Sequence, residues 1–95
     1  MKIEWLNLKA FSKITWYEAI KLEKKDQRLP DINELLEAYK NKVSGFENAY
    51  YWSSDDYGAS TDQALIFNFG TGHIGTAYKN NLGHIMVRFC KDIYE

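Results

Sequence analysis

The feature that most limits what this chain can fold into is a change of hydrophobic period just after Asn41. Two helix starts precede it. Thr15 and Glu18 stand three residues apart, as do Asp31 and Glu34, with Pro30 just ahead of the second pair. This spacing lets the two side chains satisfy backbone N–H groups that the first helical turn leaves unpaired. Trp16, Ala19, Ile20 and Glu23 recur at three- and four-residue steps in the first segment, and Ile32, Leu35, Leu36 and Tyr39 in the second. Each helix therefore turns one face toward a core.

Beyond Val43 to Asn48, which holds Ser44 and Gly45, the period becomes that of strands. Tyr50 to Ser53 reads as an aromatic strand and Asp55 to Asp62 as a polar loop. Ala64 to Phe69 follows, with Leu65, Phe67 and Phe69 on one face and Asn68 on the other. Gly70-Thr71-Gly72 supplies the positive φ of a hairpin. His73 to Lys79 returns, Asn80 to Gly83 turns, and His84 to Lys91 makes a last strand with Ile85, Val87 and Phe89 on one face. Helices first and strands afterwards predict an α+β fold, both helices against one side of a mostly antiparallel twisted sheet. Ile3 to Leu8 is expected to join it as a strand beside the C-terminal one.

At 95 residues, 45% of them apolar and 16% aromatic, the chain suffices for one core, so residues 1–95 are read as a single domain. Twelve basic against 13 acidic residues give a net charge of -1, which provides no field toward nucleic acid or an anionic membrane. The most basic stretch, Lys21 to Arg28, is interrupted by Glu23 and Asp26 and reads as a solvated helix end. No stretch approaches a membrane span, and Met1 to Trp5 lacks the apolar run of a signal peptide. A lone cysteine, Cys90, excludes an intrachain disulfide and reads as a buried thiol in a reducing, cytoplasmic setting.

Several short motifs occur in an order that resembles one known family. Thr15-Trp16 opens a helix, Gln27-Arg28-Leu29-Pro30 leads to Glu34-Leu35, and Tyr51-Trp52-Ser53-Ser54 and Val87-Arg88 follow. This order is similar to that of the Lcl C-terminal-like family, whose pattern runs T-W, W-R-L-P, E-L, Y-W-S-S and V-R-C-V-R. The resemblance spans nearly the whole chain. It implies a C-type-lectin-like fold, related to the scaffold of formylglycine-generating enzymes and of phage-type diversified receptor-binding proteins, with a role in adhesion or ligand recognition. Gln27 stands where the family has Trp, and Phe89-Cys90-Lys91 replaces the C-V-R ending. Glu23 falls near the place of the family's partner cysteine, so the resemblance implies no disulfide here. The chain also begins near the implied domain boundary, as expected of a free-standing phage or mobile-element version.

Catalytic sets are sparse. Cys90 has His73 and His84 as the only imidazole partners, and its alternating strand predicts burial. The copper-binding cysteine pair of formylglycine-generating relatives cannot form with one cysteine, and no cofactor is expected. Asp55, Asp56 and Asp62 share a loop without the E-P-N and W-N-D patterns by which C-type lectins hold calcium and sugar, so no metal site is expected. His73 and His84 are expected as neighbours across the last hairpin. Arg28 and Arg88 need acceptors if enclosed and read as ion pairs or loop clamps before ligand anchors. Trp16, Pro30 and Trp52 read as structural, and Ser53 and Ser54 as holding a turn.

Recognition remains. Tyr, Trp, Ser, Asn, Gly and Asp concentrate in Tyr50 to Asp62 and Thr71 to Asn81, and such residues supply contact area and adaptable polar groups. The expected partner-binding set is Asp55, Asp56, Tyr57, Asp62, His73, Tyr78, Lys79 and Asn80. The expected function is a non-enzymatic module that binds, and in one version inhibits, a host intracellular protein such as a defence complex. The alternatives are recognition of a glycan or cell surface, and a virion or secretion component whose strand edges pair between copies as a homo-oligomer.

Overall fold

The computed structural model describes residues 2–6 and 13–93. Its elements are β1 (Lys2–Trp5), α1 (Trp16–Lys21), α2 (Ile32–Lys40), β2 (Tyr50–Asp56), β3 (Gln63–Asn68), β4 (Ile74–Tyr78), β5 (Ile85–Met86) and β6 (Cys90–Ile93). The fold is α+β, two helices on antiparallel-rich sheets.

Both helix starts form as their spacing predicts. Thr15 Oγ1 accepts the Glu18 N–H at 3.1 Å while Glu18 Oε1 accepts that of Thr15 at 2.9 Å. Asp31 and Glu34 do the same at 2.7 and 2.8 Å. The first helix is shorter than its apolar period: α1 ends at Lys21, and Glu23 turns away to accept the Leu29 N–H at 2.9 Å.

A four-stranded sheet runs β4-β3-β2-β5, and β1 pairs antiparallel with β6 in a separate ribbon. The expected N-terminal strand is found over Lys2–Trp5, opposite Cys90–Ile93; Leu8 lies outside the described residues. Two expectations about arrangement change. The segment His84 to Lys91 is not one strand: Ile85–Met86 pairs in parallel with Tyr50 and Tyr51, and the chain then leaves that edge for the β1 ribbon. Arg28 meets Cys90 there, exchanging two backbone bonds of 2.9 Å.

The helices lie against opposite faces of the four-stranded sheet. Successive strand residues point to opposite sides, and here both sides are covered. Trp52, Ala64, Ile66 and Ile85 pack with Ala19, Leu29, Val87 and Phe89, and Trp16 and Ile20 of α1 close this face. Tyr51 and Phe67 pack with Leu35, and Ile32, Leu36, Phe46, Phe69 and Met86 close the other. The second cluster is largely aromatic, with Phe46 stacked on Phe69 at 4.0 Å and Tyr39 edge-on to Phe67 at 5.5 Å.

The turn after β3 packs against Tyr39 in the last turn of α2. Asn68 Oδ1 accepts the N–H groups of Gly70 and Thr71 at 2.7 and 3.1 Å, and Gly72 follows at φ +79°. A Cβ on Gly72 would lie 2.8 Å from the Tyr39 ring. Gly72→Ala is therefore expected to lower the unfolding free energy by about 2 kcal/mol, from left-handed backbone and a displaced ring together. Gly58→Ala, at φ +56° with nothing within 4 Å, loses only the backbone part, about 1 kcal/mol. Paired thermal melts separate the two contributions.

Candidate functional site

Three of the charged residues expected at a binding surface are committed inside the chain. Lys79 is buried, its Nζ on the Asp56 carboxylate and 4.0 Å over the Trp16 ring. Its backbone carbonyl also accepts the Trp16 N–H at 2.9 Å, and the indole Nε1 donates to the Ser53 carbonyl at 2.9 Å. Lys79 and Asp56 thus pin α1 to the sheet. Asp55 Oδ2 accepts the Ile32 N–H at 2.8 Å and adds a third carboxylate to the start of α2, beside Asp31 and Glu34.

Four others stay exposed and share one end of the sheet. Tyr57 donates its N–H to the Gln63 carbonyl at 2.9 Å, Gln63 lies opposite Tyr78, and Lys79 donates its N–H to Asp62 at 2.8 Å. Tyr57 and Tyr78 are 50% and 60% exposed and flank Gln63 from either side, with Asp62 and Asn80 exposed beside them. His73 is left out, since it precedes β4 at the other end of the strand, roughly 17 Å away at the usual rise per residue. His73 and His84 are not neighbours either, because β4 and β5 are opposite edges of the sheet. Among the described residues no group of three His, Cys, Asp or Glu side chains converges as for a metal ion.

The motif residues hold the frame. Arg28 donates to both oxygens of Glu34 at 2.8 Å and to Asp92 at 2.8 and 3.2 Å, the ion pair its surroundings called for. Arg88 donates to the carbonyls of Ser44 at 2.7 Å and Leu6 at 3.2 Å and lies 4.5 Å over the Phe46 ring. Burial pushes its guanidinium below the ordinary value. Gly45, at φ +94°, leaves the room this clamp occupies, because a Cβ there would meet the Arg88 guanidinium at 2.9 Å. Pro30 is buried and accepts the Ser54 N–H at 2.8 Å. Ser53 Oγ donates to Leu65 at 2.7 Å and accepts the Asp55 N–H at 3.1 Å, which steadies the register shift in β2. Cys90 is buried, and desolvation pushes its thiol up to about 12, so it is protonated at neutral pH.

Two features lie outside the sequence-predicted set. Ile74 and Thr76 are exposed on β4 beside Tyr78; their alternation with Gly75 and Ala77 places the three on one face. A groove of about 420 Å³ lies between β1 and α2, lined by Ile3, Trp5, Glu34, Glu37, Ala38 and Val43 among others. No helix among the described residues is long and apolar enough to cross a membrane. No protein-family profile matches the chain, and no curated protein is recognisably related to it.

Proposed function

We propose that this chain is a non-enzymatic protein-binding module on a C-type-lectin-like scaffold, reading its partner with Tyr57, Asp62, Tyr78 and Asn80. The observation that carries the reading is the pair of half-exposed tyrosines on either side of Gln63. Tyr57 is anchored by its N–H on Gln63 and Tyr78 by the Lys79 N–H on Asp62 beside it, at the end of a sheet buried on two faces. Tyrosine presented on a rigid frame gives large contact area at low entropic cost. The nearby groups capable of chemistry support the same reading, since Lys79, Asp56, Asp55 and Ser53 all serve internal contacts. The scaffold part rests on the motif order, whose residues Trp16, Arg28, Pro30, Trp52 and Arg88 are those that tie the elements together. The lone buried thiol directs the search to reducing compartments, a host defence complex being the favoured target for a phage or mobile-element product.

With the chain as bait, one host protein is expected to be retained, and its affinity to fall about thirtyfold in Tyr57→Ala and again in Tyr78→Ala, the size of a hot-spot loss. Tyr17→Ala, on α1 at 48% exposure, is expected to leave the complex unchanged. Retention of a glycan with no protein, or a complex indifferent to both tyrosines, rejects the proposal.

A further inference from the structure

β4 is the outer strand of its sheet. Its inner side is accounted for: Phe67 to Gln63 lie opposite Ile74 to Tyr78, Asn68 donates to the His73 carbonyl at 2.9 Å, and Lys79 donates to Asp62 at 2.8 Å. Residues of an antiparallel ladder direct their N–H and C=O alternately to the two neighbours. His73, Gly75, Ala77 and Lys79 therefore address β3, and Ile74, Thr76 and Tyr78 address the open side. Among the described residues the only backbone partner of the N–H and C=O groups of these three residues is the Asn81 N–H, on the Tyr78 carbonyl at 3.0 Å.

Open edges are ordinarily blunted by charge, proline or a bulge. His73 to Tyr78 contains no Asp, Glu, Lys, Arg or Pro, and its pairing with β3 runs without a register shift. Ile74 is 51% and Tyr78 60% exposed on one side of this edge.

We propose that β4 pairs with β4 of a second copy, antiparallel about a two-fold axis at Thr76. Outward-facing groups meet only outward-facing groups, so the permitted registers differ by steps of two residues. The register centred on Thr76 engages all three positions of both copies, whereas a slide by two leaves Ile74 or Tyr78 unpaired. It sets Thr76 against Thr76 and Ile74 against Tyr78, favourable cross-strand pairs with no like charges opposed. Gly75 and Ala77 meet on the other face, where small side chains leave room. The neutral strand offers a foreign strand no charge by which to be selected, which favours the second copy as occupant. The far edge of the sheet, β5, is two residues long, so the pairing closes as a dimer and does not propagate.

Sedimentation equilibrium from roughly 1 to roughly 200 µM tests the pairing. The mass is expected to rise from 11.1 kDa toward twice that value. Thr76→Lys, which opposes like charges, and Ile74→Lys are each expected to weaken association at least tenfold with an unchanged circular dichroism spectrum. A parent chain that stays monomeric throughout overturns the proposal, as does a dimer that survives both folded variants. The pairing does not rest on the partner-binding reading: the two share Tyr78, but the variants tested here are at Ile74 and Thr76, outside that surface, so a dimer without a partner, or a partner without a dimer, tells the two apart.

Discussion

Trp52→Ala is expected to cost roughly 3–5 kcal/mol of unfolding free energy, most of what a small domain has. The side chain is fully buried at the centre of the first face, walled by Ala19, Leu29, Ala64, Ile66, Ile85, Val87 and Phe89. Those walls come from a helix, a linker, the two neighbouring strands and the segment between β5 and β6, each tied elsewhere, so the void cannot close by moving any one of them. The indole Nε1 also donates to the Ile14 carbonyl at 3.2 Å, and alanine leaves that carbonyl without this donor. Trp52→Phe retains most of the ring and loses the donor, for which about 1–2 kcal/mol is expected. Tyr17→Ala, at 48% exposure, is expected to stay within about 0.5 kcal/mol. Urea unfolding followed by circular dichroism ranks the three, and coincident midpoints for Trp52→Ala and Tyr17→Ala would remove Trp52 from the centre of the core.

The parts of the fold that were legible from sequence are those encoded within a few residues. A capping box needs only four positions, and both form as spaced. Strand order needs partners far apart in the chain, so the parallel pairing of β5 with β2 and the break before β6 were not legible. Burial on two faces did leave a mark. Tyr51-Trp52 and Ile66-Phe67 are successive large apolar residues, the pattern of a strand covered on both sides, and Tyr51 and Phe67 point to α2 while Trp52 and Ile66 point to α1.

For the recognition surface, composition located the region without sorting its residues. Asp55 and Asp56 look like loop carboxylates in sequence, yet one caps α2 and the other holds Lys79. Which polar group is spent internally depends on what the fold brings beside it. Tyr57, in the turn after β2, and Tyr78, which alternates on β4 with the inward-packed Ala77, stay exposed. Ile74 and Thr76 escaped notice because a strand's alternation does not say which side is covered. The arginines were the more readable case: each sits among apolar neighbours, and each found acceptors, carboxylates for Arg28 and carbonyls for Arg88.

Arg28→Met is expected to destabilise the protein at neutral pH by about 1–3 kcal/mol through the Arg28 and Glu34 pair, whose side chains are 31% and 20% exposed. The variant is also expected to change the shape of the acid limb. Burial works against the Glu34 carboxylate, but the Arg28 hydrogen bonds and the Asp31 N–H outweigh it and hold the group below its ordinary 4.5. The Arg28 hydrogen bonds likewise hold Asp92 below 3.8. Both groups bind protons less readily in the folded chain than in the unfolded one, so their stabilisation is complete above those ordinary values and is lost as pH falls through the lower, folded ones. Stability of the parent from these groups is therefore expected to be level from pH 7 to about pH 5 and to decline below about pH 4.5. In Arg28→Met the two carboxylates face each other without the cation, so protonation relieves the variant and its curve converges on the parent's in acid. Glu34→Gln separates charge from capping, because an amide oxygen still accepts the Asp31 N–H; it is expected to fall between parent and Arg28→Met at pH 7. Parallel parent and Arg28→Met curves from pH 7 to about pH 3 would show that the guanidinium does not govern these carboxylates.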